Sequence, residues 1–377
     1  MTRMTRLIVV SLTAAVALLP GCGRLQPLIG APGAMPQSHA IATHANRGRS
    51  WMLPEAQSRH LPYIADLGTA NQHRPHRIPP DLYVSNWGNN TISVYPVLGK
   101  TPIRTISRGL DIAVVSDLAF DKSGNLYSAN YQANTVTVYK RGRERLMRTI
   151  SRDLDAPRAL AFDRSGNLYV ANENGNSVTV YAAGGSSPVR TISAGIATPT
   201  CLIFDSSGNL YVGNASYPNS TVTVYGPGSG SVLRTLSSDL DGPNTLAFNY
   251  KGDLFVLNWR GQDVVVFAAG TSRVKQVISR DVDDGTRMAF DRLGNLYVVN
   301  DGPSSNVTVY GGPRMGFEHA ITDGVDAPYW LTFDSLGNLY IGNQGNNTIT
   351  VYGPGKTKVL ETITDGVDLP IALAFEQ

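Results

Sequence analysis

One phrase, Gly-Asn-Leu-Tyr-Val-Ala-Asn followed by Asn-x-Val-Thr-Val-Tyr, returns seven times along the chain with small variations. Its aromatic residue falls at Tyr83, Tyr127, Tyr169, Tyr211, Phe255, Tyr297 and Tyr340, at intervals of 44, 42, 42, 44, 42 and 43 residues. Such a period means one supersecondary unit stacked on copies of itself, each burying a face that its neighbour supplies. Composition argues for strands joined by tight turns: 38 Gly, 17 Tyr against 10 Phe, and only 16% charged residues.

Residues 157–192 show the unit most clearly. Pro157 to Phe162 reads as a short first strand, and Asp163-Arg-Ser-Gly166-Asn167 as a tight turn in which Gly supplies positive φ. Leu168 to Ala171 is a second strand, Asn172 to Asn176 a hairpin, and Ser177 to Tyr181 an alternating, half-buried third strand. A Gly/Ser loop leads to a fourth strand, Val189 to Ile192. Four antiparallel strands per repeat make one propeller blade, so the expected fold is all-β: a seven-bladed β-propeller of four-stranded blades. The first full phrase begins at Asp81 with a second strand, and the missing first strand stands at the other end, Pro370 to Phe375. The C-terminal strand is therefore expected to complete the first blade and close the ring, which removes exposed sheet edges. Each first strand brings an aromatic (Phe120, Phe162, Phe204, Phe248, Phe290, Phe333, Phe375) expected between blades, with a burial of about 1.5–3 kcal/mol each.

The chain divides into three parts by composition. Residues 1–21 have the plan of an export signal: Arg3 and Arg6, an apolar run from Leu7 to Leu19, then small residues. The ending Leu19-Pro20-Gly21-Cys22 resembles the bacterial lipobox, which implies lipidation of Cys22 and a membrane-anchored lipoprotein of the envelope, in the outer membrane if the cell is Gram-negative. Residues 22–78 are rich in Pro, Ala, His and Arg and carry a net charge of +6 together with the signal. They read as a tether of about 40 Å, in which Leu61 to Asp66 looks like a decayed second strand. Residues 79–377 are the propeller. They carry a net charge of −3, which argues against a nucleic-acid surface.

The repeats resemble NHL and YVTN propeller repeats of bacterial exported proteins. The resemblance covers the whole ring and implies the fold; its members serve as scaffolds, sensors, lyases and lactonases. Positions that recur with the repeat read as structural. These include the asparagines ending each second strand (Asn86, Asn130, Asn172, Asn214, Asn258, Asn300, Asn343), expected to shape the hairpin, and the acids before the first strand in six of the seven copies (Asp111, Asp155, Asp241, Asp283, Asp326, Asp368; the seventh has Ala197), expected to cap turns. Positions that differ between copies are where function has room. Trp87, Tyr131, Glu173 and Trp259 follow the second-strand asparagine, and Arg158, Arg287, Tyr329 and Trp330 begin first strands. All eight are expected on one face of the ring, an aromatic and arginine surface suited to recognition.

No Gly-x-Ser-x-Gly elbow, His-rich zinc motif or phosphate loop occurs, and His319 is the only histidine in the ring. The basic run Lys140, Arg141, Arg143, Arg145 and Arg148 reads as a solvated patch away from that face. The expectation is a monomeric, non-catalytic propeller that holds a protein or glycan in the envelope and has no cofactor, metal or catalytic residues. A cation-dependent lactonase or lyase, using a divalent ion such as calcium, is the enzymatic alternative, and a purely structural envelope scaffold is the third.

Overall fold

The computed structural model describes residues 80–110 and 114–376. The expected signal segment, Cys22, the tether and the decayed strand at 61–66 lie outside the described residues, as does Asp111. The described residues form twenty-eight strands in seven four-stranded antiparallel sheets, with no helix. Blade 1 runs β28 (Pro370–Phe375), β1 (Leu82–Asn86), β2 (Thr91–Tyr95), β3 (Arg104–Ile106), and every other blade takes four consecutive strands. The chain ends thus meet inside one sheet: Leu82 pairs with Phe375 and Val84 with Leu373, and the Glu376 amide donates to the Asp81 carbonyl at 3.1 Å. This is the C-terminal closure expected from the misplaced first strand. First strands touch their neighbours all round the ring, including β28 with blades 2 and 7.

The core lies between blades. Second strands are buried along their length, as in Leu168–Asn172, because both faces meet a neighbouring sheet. Outer strands alternate instead, as Pro188–Ile192 does, because one face is wet. Each second-strand aromatic meets the first-strand phenylalanine of the next blade edge to face, in seven pairs with centroids 4.9–5.1 Å apart. Such T-shaped pairs add about 0.5–1.5 kcal/mol beyond area burial. The interblade role expected for these phenylalanines is therefore what the structure shows.

The invariant asparagines do more than shape hairpins. Asn172 is buried; its Nδ2 donates to Ser177 Oγ (3.1 Å) and Thr179 Oγ1 (2.9 Å), while its Oδ1 accepts the Asp155 amide (3.3 Å). The same clamp ties the incoming loop to the blade at Asn86, where the side chain accepts the Asp368 amide at 3.0 Å. The turn between first and second strands is fixed by its aspartate: Asp163 Oδ1 accepts the amides of Ser165 (2.8 Å) and Asn167 (2.9 Å). The basic run is only partly a solvated patch. Arg141 pairs with Glu376 across the chain ends, and Arg148 donates to Tyr127 Oη at 2.6 Å. Sequence spacing could not show either partner, since both are brought close by ring closure or sheet pairing.

Candidate functional site at the channel mouth

Every first strand opens with a β-bulge. In blade 3, for example, Pro157 faces Asn172 and Ala159 faces Ala171, so Arg158 is the extra residue. A bulge breaks the side-chain alternation and re-aims the inserted residue. Two successive positions consequently stand at the inner edge of each blade; both are half-exposed in blades 2, 3, 6 and 7, whereas Cys201, Thr245, Ile371 and Ala372 are buried. The two rings run Ser116, Arg158, Thr200, Asn244, Thr286, Tyr329, Ile371 and then Asp117, Ala159, Cys201, Thr245, Arg287, Trp330, Ala372. Neutral members stitch blade to blade: Ser116 Oγ donates to the Pro157 carbonyl at 2.8 Å and Asn244 Nδ2 to that of Thr286 at 2.9 Å.

The charged and aromatic members converge. The Arg287 guanidinium lies 3.3 Å from the centroid of the Trp330 ring, a stacked cation–π contact. Trp330 also packs against the cores on both sides of blade 1. The Arg158 Nε stands 3.8 Å from Glu173 Oε2. Burial works against the charge of Arg158 but is outweighed by Tyr329 and Glu173, so its pKa is held above the usual value. Burial and then the Glu173 carboxylate push the Tyr131 phenol up. Arg287 is shifted the other way: burial lowers its pKa, with Asp117 opposing and Arg158 adding to the effect. Among the described residues no carboxylate, carbonyl or hydroxyl stands within hydrogen-bond reach of Arg287.

Asp117 is the member that the sequence reading passed over. Its Oδ1 accepts the Leu118 amide (2.9 Å) and its Oδ2 the Leu160 amide of the next blade (2.8 Å). Burial raises its pKa, while Arg287 and those two amides oppose the rise. The signal was present: it is the only acid at its position in the seven copies. Cys201, in the same ring, has its thiol pushed up to about 11 by burial, which leaves it a small inert wall residue.

Six of the eight expected site residues thus gather here: Tyr131, Arg158, Glu173, Arg287, Tyr329 and Trp330. Trp259 stands apart on the outside of the same face. The Arg260 guanidinium sits 4.9 Å from its ring and 5.6 Å from that of Tyr217, and Gly242 leaves it room, since a Cβ there would come within 2.8 Å of Trp259 Nε1. Trp87 is half-buried in the blade 1 hairpin, anchored by its amide to the Leu369 carbonyl at 3.0 Å.

The acids before the first strands serve the loops. Asp283 Oδ2 accepts from Ser304 Oγ at 2.9 Å, and the carboxylate of Asp326 fills the space where a Cβ on Gly345 would stand, 2.4 Å from Oδ1. Among the described residues no three His, Cys, Asp or Glu side chains come together as a metal ion requires. The channel acids fit a cation poorly as well, since Glu173 faces Arg158 and both Asp117 oxygens accept amides.

A family model for lactonases of the seven-bladed β-propeller type matches residues 102–204. That stretch includes Asp117, Tyr131, Arg158 and Glu173. No curated protein matches the chain. The crystal structure of a functionally unknown protein from Desulfotomaculum acetoxidans DSM 771 superposes with a TM-score of 0.63 at 13% identity, covering 78% of this chain and 98% of that one. The likeness shows the fold.

Proposed function

We propose that the channel mouth binds a small organic anion, held by Arg287 and Arg158 and walled by Tyr131, Tyr329 and Trp330. One observation carries the reading: Arg287 is half-buried, stacked on Trp330 at 3.3 Å, and makes no hydrogen bond among the described residues. The nearby Asp117 carboxylate is engaged by two amides, so the guanidinium lacks the hydrogen-bonded acceptor that partly buried cations normally find. The aromatic and arginine set expected to hold a protein or glycan is therefore better suited to a small ligand, because Arg158, Arg287, Tyr329 and Trp330 stand on first strands at the inner edge of the ring. Lipid anchoring at Cys22 belongs to the same proposal and places the ligand in the envelope; Cys22→Ser should move the protein from the membrane to the soluble fraction.

A second reading, lactone hydrolysis, is favoured by the match to lactonases over 102–204. In it, Glu173 takes a proton from water as the water oxygen adds to the ring carbonyl. Arg287 holds the oxygen that becomes negative, the ring C–O bond breaks, and the departing oxygen is protonated to give a hydroxy acid. The donor set gives no step to a metal ion. Gluconate, glucose and glucono-δ-lactone separate the readings. Gluconate should raise the melting temperature of the wild type but not of Arg287→Leu, and glucose should raise neither. Turnover of the lactone, lost in Glu173→Gln with gluconate binding retained, would establish the enzyme. Equal shifts from gluconate in wild type and Arg287→Leu would refute the site.

A further inference from the structure

Blade 5 departs from blades 2–4 in four places at once. Its turn between first and second strands exchanges the usual Asp and Asn, reading Asn249 and Asp253 where blade 3 has Asp163 and Asn167. Its second-strand aromatic is Phe255, and its outer strand has Gln276 where blades 1–4 have arginine. In blades 2–4 that arginine donates to the tyrosine hydroxyl: Arg148 to Tyr127 at 2.6 Å, Arg190 to Tyr169 at 3.1 Å, Arg234 to Tyr211 at 2.5 Å. Blade 5 has neither group. Lys275 reaches to Asp253 Oδ2 instead (2.6 Å), and Gln276 turns sideways to the Arg314 carbonyl of blade 6 (2.8 Å).

The space left open is a cleft of 290 Å³ between blades 5 and 6. It lies on the turn side of the ring, opposite the channel mouth. Its size is at the lower end of ligand pockets, about 300–1,000 Å³. Phe255 and Val266 form its apolar floor, while Tyr250, Leu293 and Met315 flank its opening. Tyr250 and Leu293, both lining the cleft, are 76% and 86% exposed, which leaves their apolar surface open to a ligand. The polar side carries one positive charge in excess. Lys275, whose side chain is 43% exposed, pairs with the buried Asp253 at 2.6 Å, and the Lys251 ammonium, 5.3 Å from the Tyr250 ring at the rim, has no acid opposite it in the lining.

We propose that this cleft binds an amphiphilic organic anion, with its apolar part between Tyr250, Leu293 and Met315 and its acid group on Lys251, within reach of a remaining Lys275 N–H. A cationic ligand is disfavoured because the lining holds two lysines against one carboxylate. Replacing a tyrosine and an arginine for packing alone would call for larger apolar residues to refill the space, whereas here the wall remains open and charged.

The anionic naphthalene dye ANS is the probe, since it brightens on apolar surface. The wild type should bind one ANS per chain, displaced by decanoate and not by decylamine. Returning blade 5 to the pattern of blades 2–4, with Asn249→Asp, Asp253→Asn, Phe255→Tyr and Gln276→Arg together, should weaken ANS binding at least tenfold. Leu293→Glu should do the same, and because that side chain is exposed the variant keeps its fold and decides the case if the fourfold variant does not fold. ANS binding unchanged in Leu293→Glu, or displacement by decylamine as readily as by decanoate, would overturn the proposal.

Discussion

Ring closure makes one prediction that can be worked from the contacts of β28. Leu373 is 3% exposed and belongs to a core with Leu82, Val84, Tyr340 and Ile349, so it joins blade 1 to blade 7. Truncating it to alanine removes its transfer free energy and leaves a cavity, about 2–5 kcal/mol together. Deleting residues 370–377 removes far more. The deletion also takes Ile371 and Ala372, both buried, the Tyr340–Phe375 pair at 5.0 Å, and the whole ladder from Leu82 to Asn86. Its cost exceeds the low end of domain stability, about 5 kcal/mol. Far-UV circular dichroism during heating reads both. Leu373→Ala should melt cooperatively, roughly 5–10 °C lower, and the deletion should give no cooperative native transition. A deletion protein that melts within about 2 °C of the full chain would refute the closure argument, because β28 would then contribute nothing that blade 1 needs.

Three further outcomes are expected. Asn172→Ala should cost roughly 1–3 kcal/mol in urea unfolding, because it removes the acceptor of the Asp155 amide and the donor to the buried Ser177 and Thr179 hydroxyls, and Asn172→Asp should rescue only part of it. Gly345→Ala should destabilise through the clash with Asp326, and Asp326→Ala should relieve that clash, so a double-mutant cycle should show coupling of about 1 kcal/mol or more. Asp253 is buried, which raises its pKa, but the bonds from Lys275 and Asn249 outweigh this and hold it below the ordinary value. Its stabilisation is thus present above the unfolded carboxyl pKa and lost as pH falls through the folded value. Asp253→Asn should flatten the acid side of the stability profile below about pH 4.

The fold was legible because its evidence is repeated: seven copies of one turn and one alternation leave little choice of architecture, and a strand missing at one end and present at the other specifies closure. That Tyr131, Arg158, Glu173, Arg287, Tyr329 and Trp330 share one face was legible for the same reason, through positions where the copies disagree. Side-chain direction was not. Trp259 and Trp87 occupy equivalent positions, but the former turns outward to Arg260 because Gly242 leaves room beside it. Asp117 was in view and passed over, since only the ring shows that its carboxylate bridges two blades and faces Arg287. The asparagine clamps were recognised as structural, but their acceptor role is served by a loop 17 residues away for Asn172 and 282 away for Asn86.

The claim that the channel mouth holds an anion rests on Arg287 and its stack with Trp330, and tryptophan fluorescence tests it most directly. Titration of the wild type with gluconate should give a saturable change at one site per chain, absent in Trp330→Phe and in Arg287→Leu. A saturable change that persists undiminished in Arg287→Leu would contradict the account.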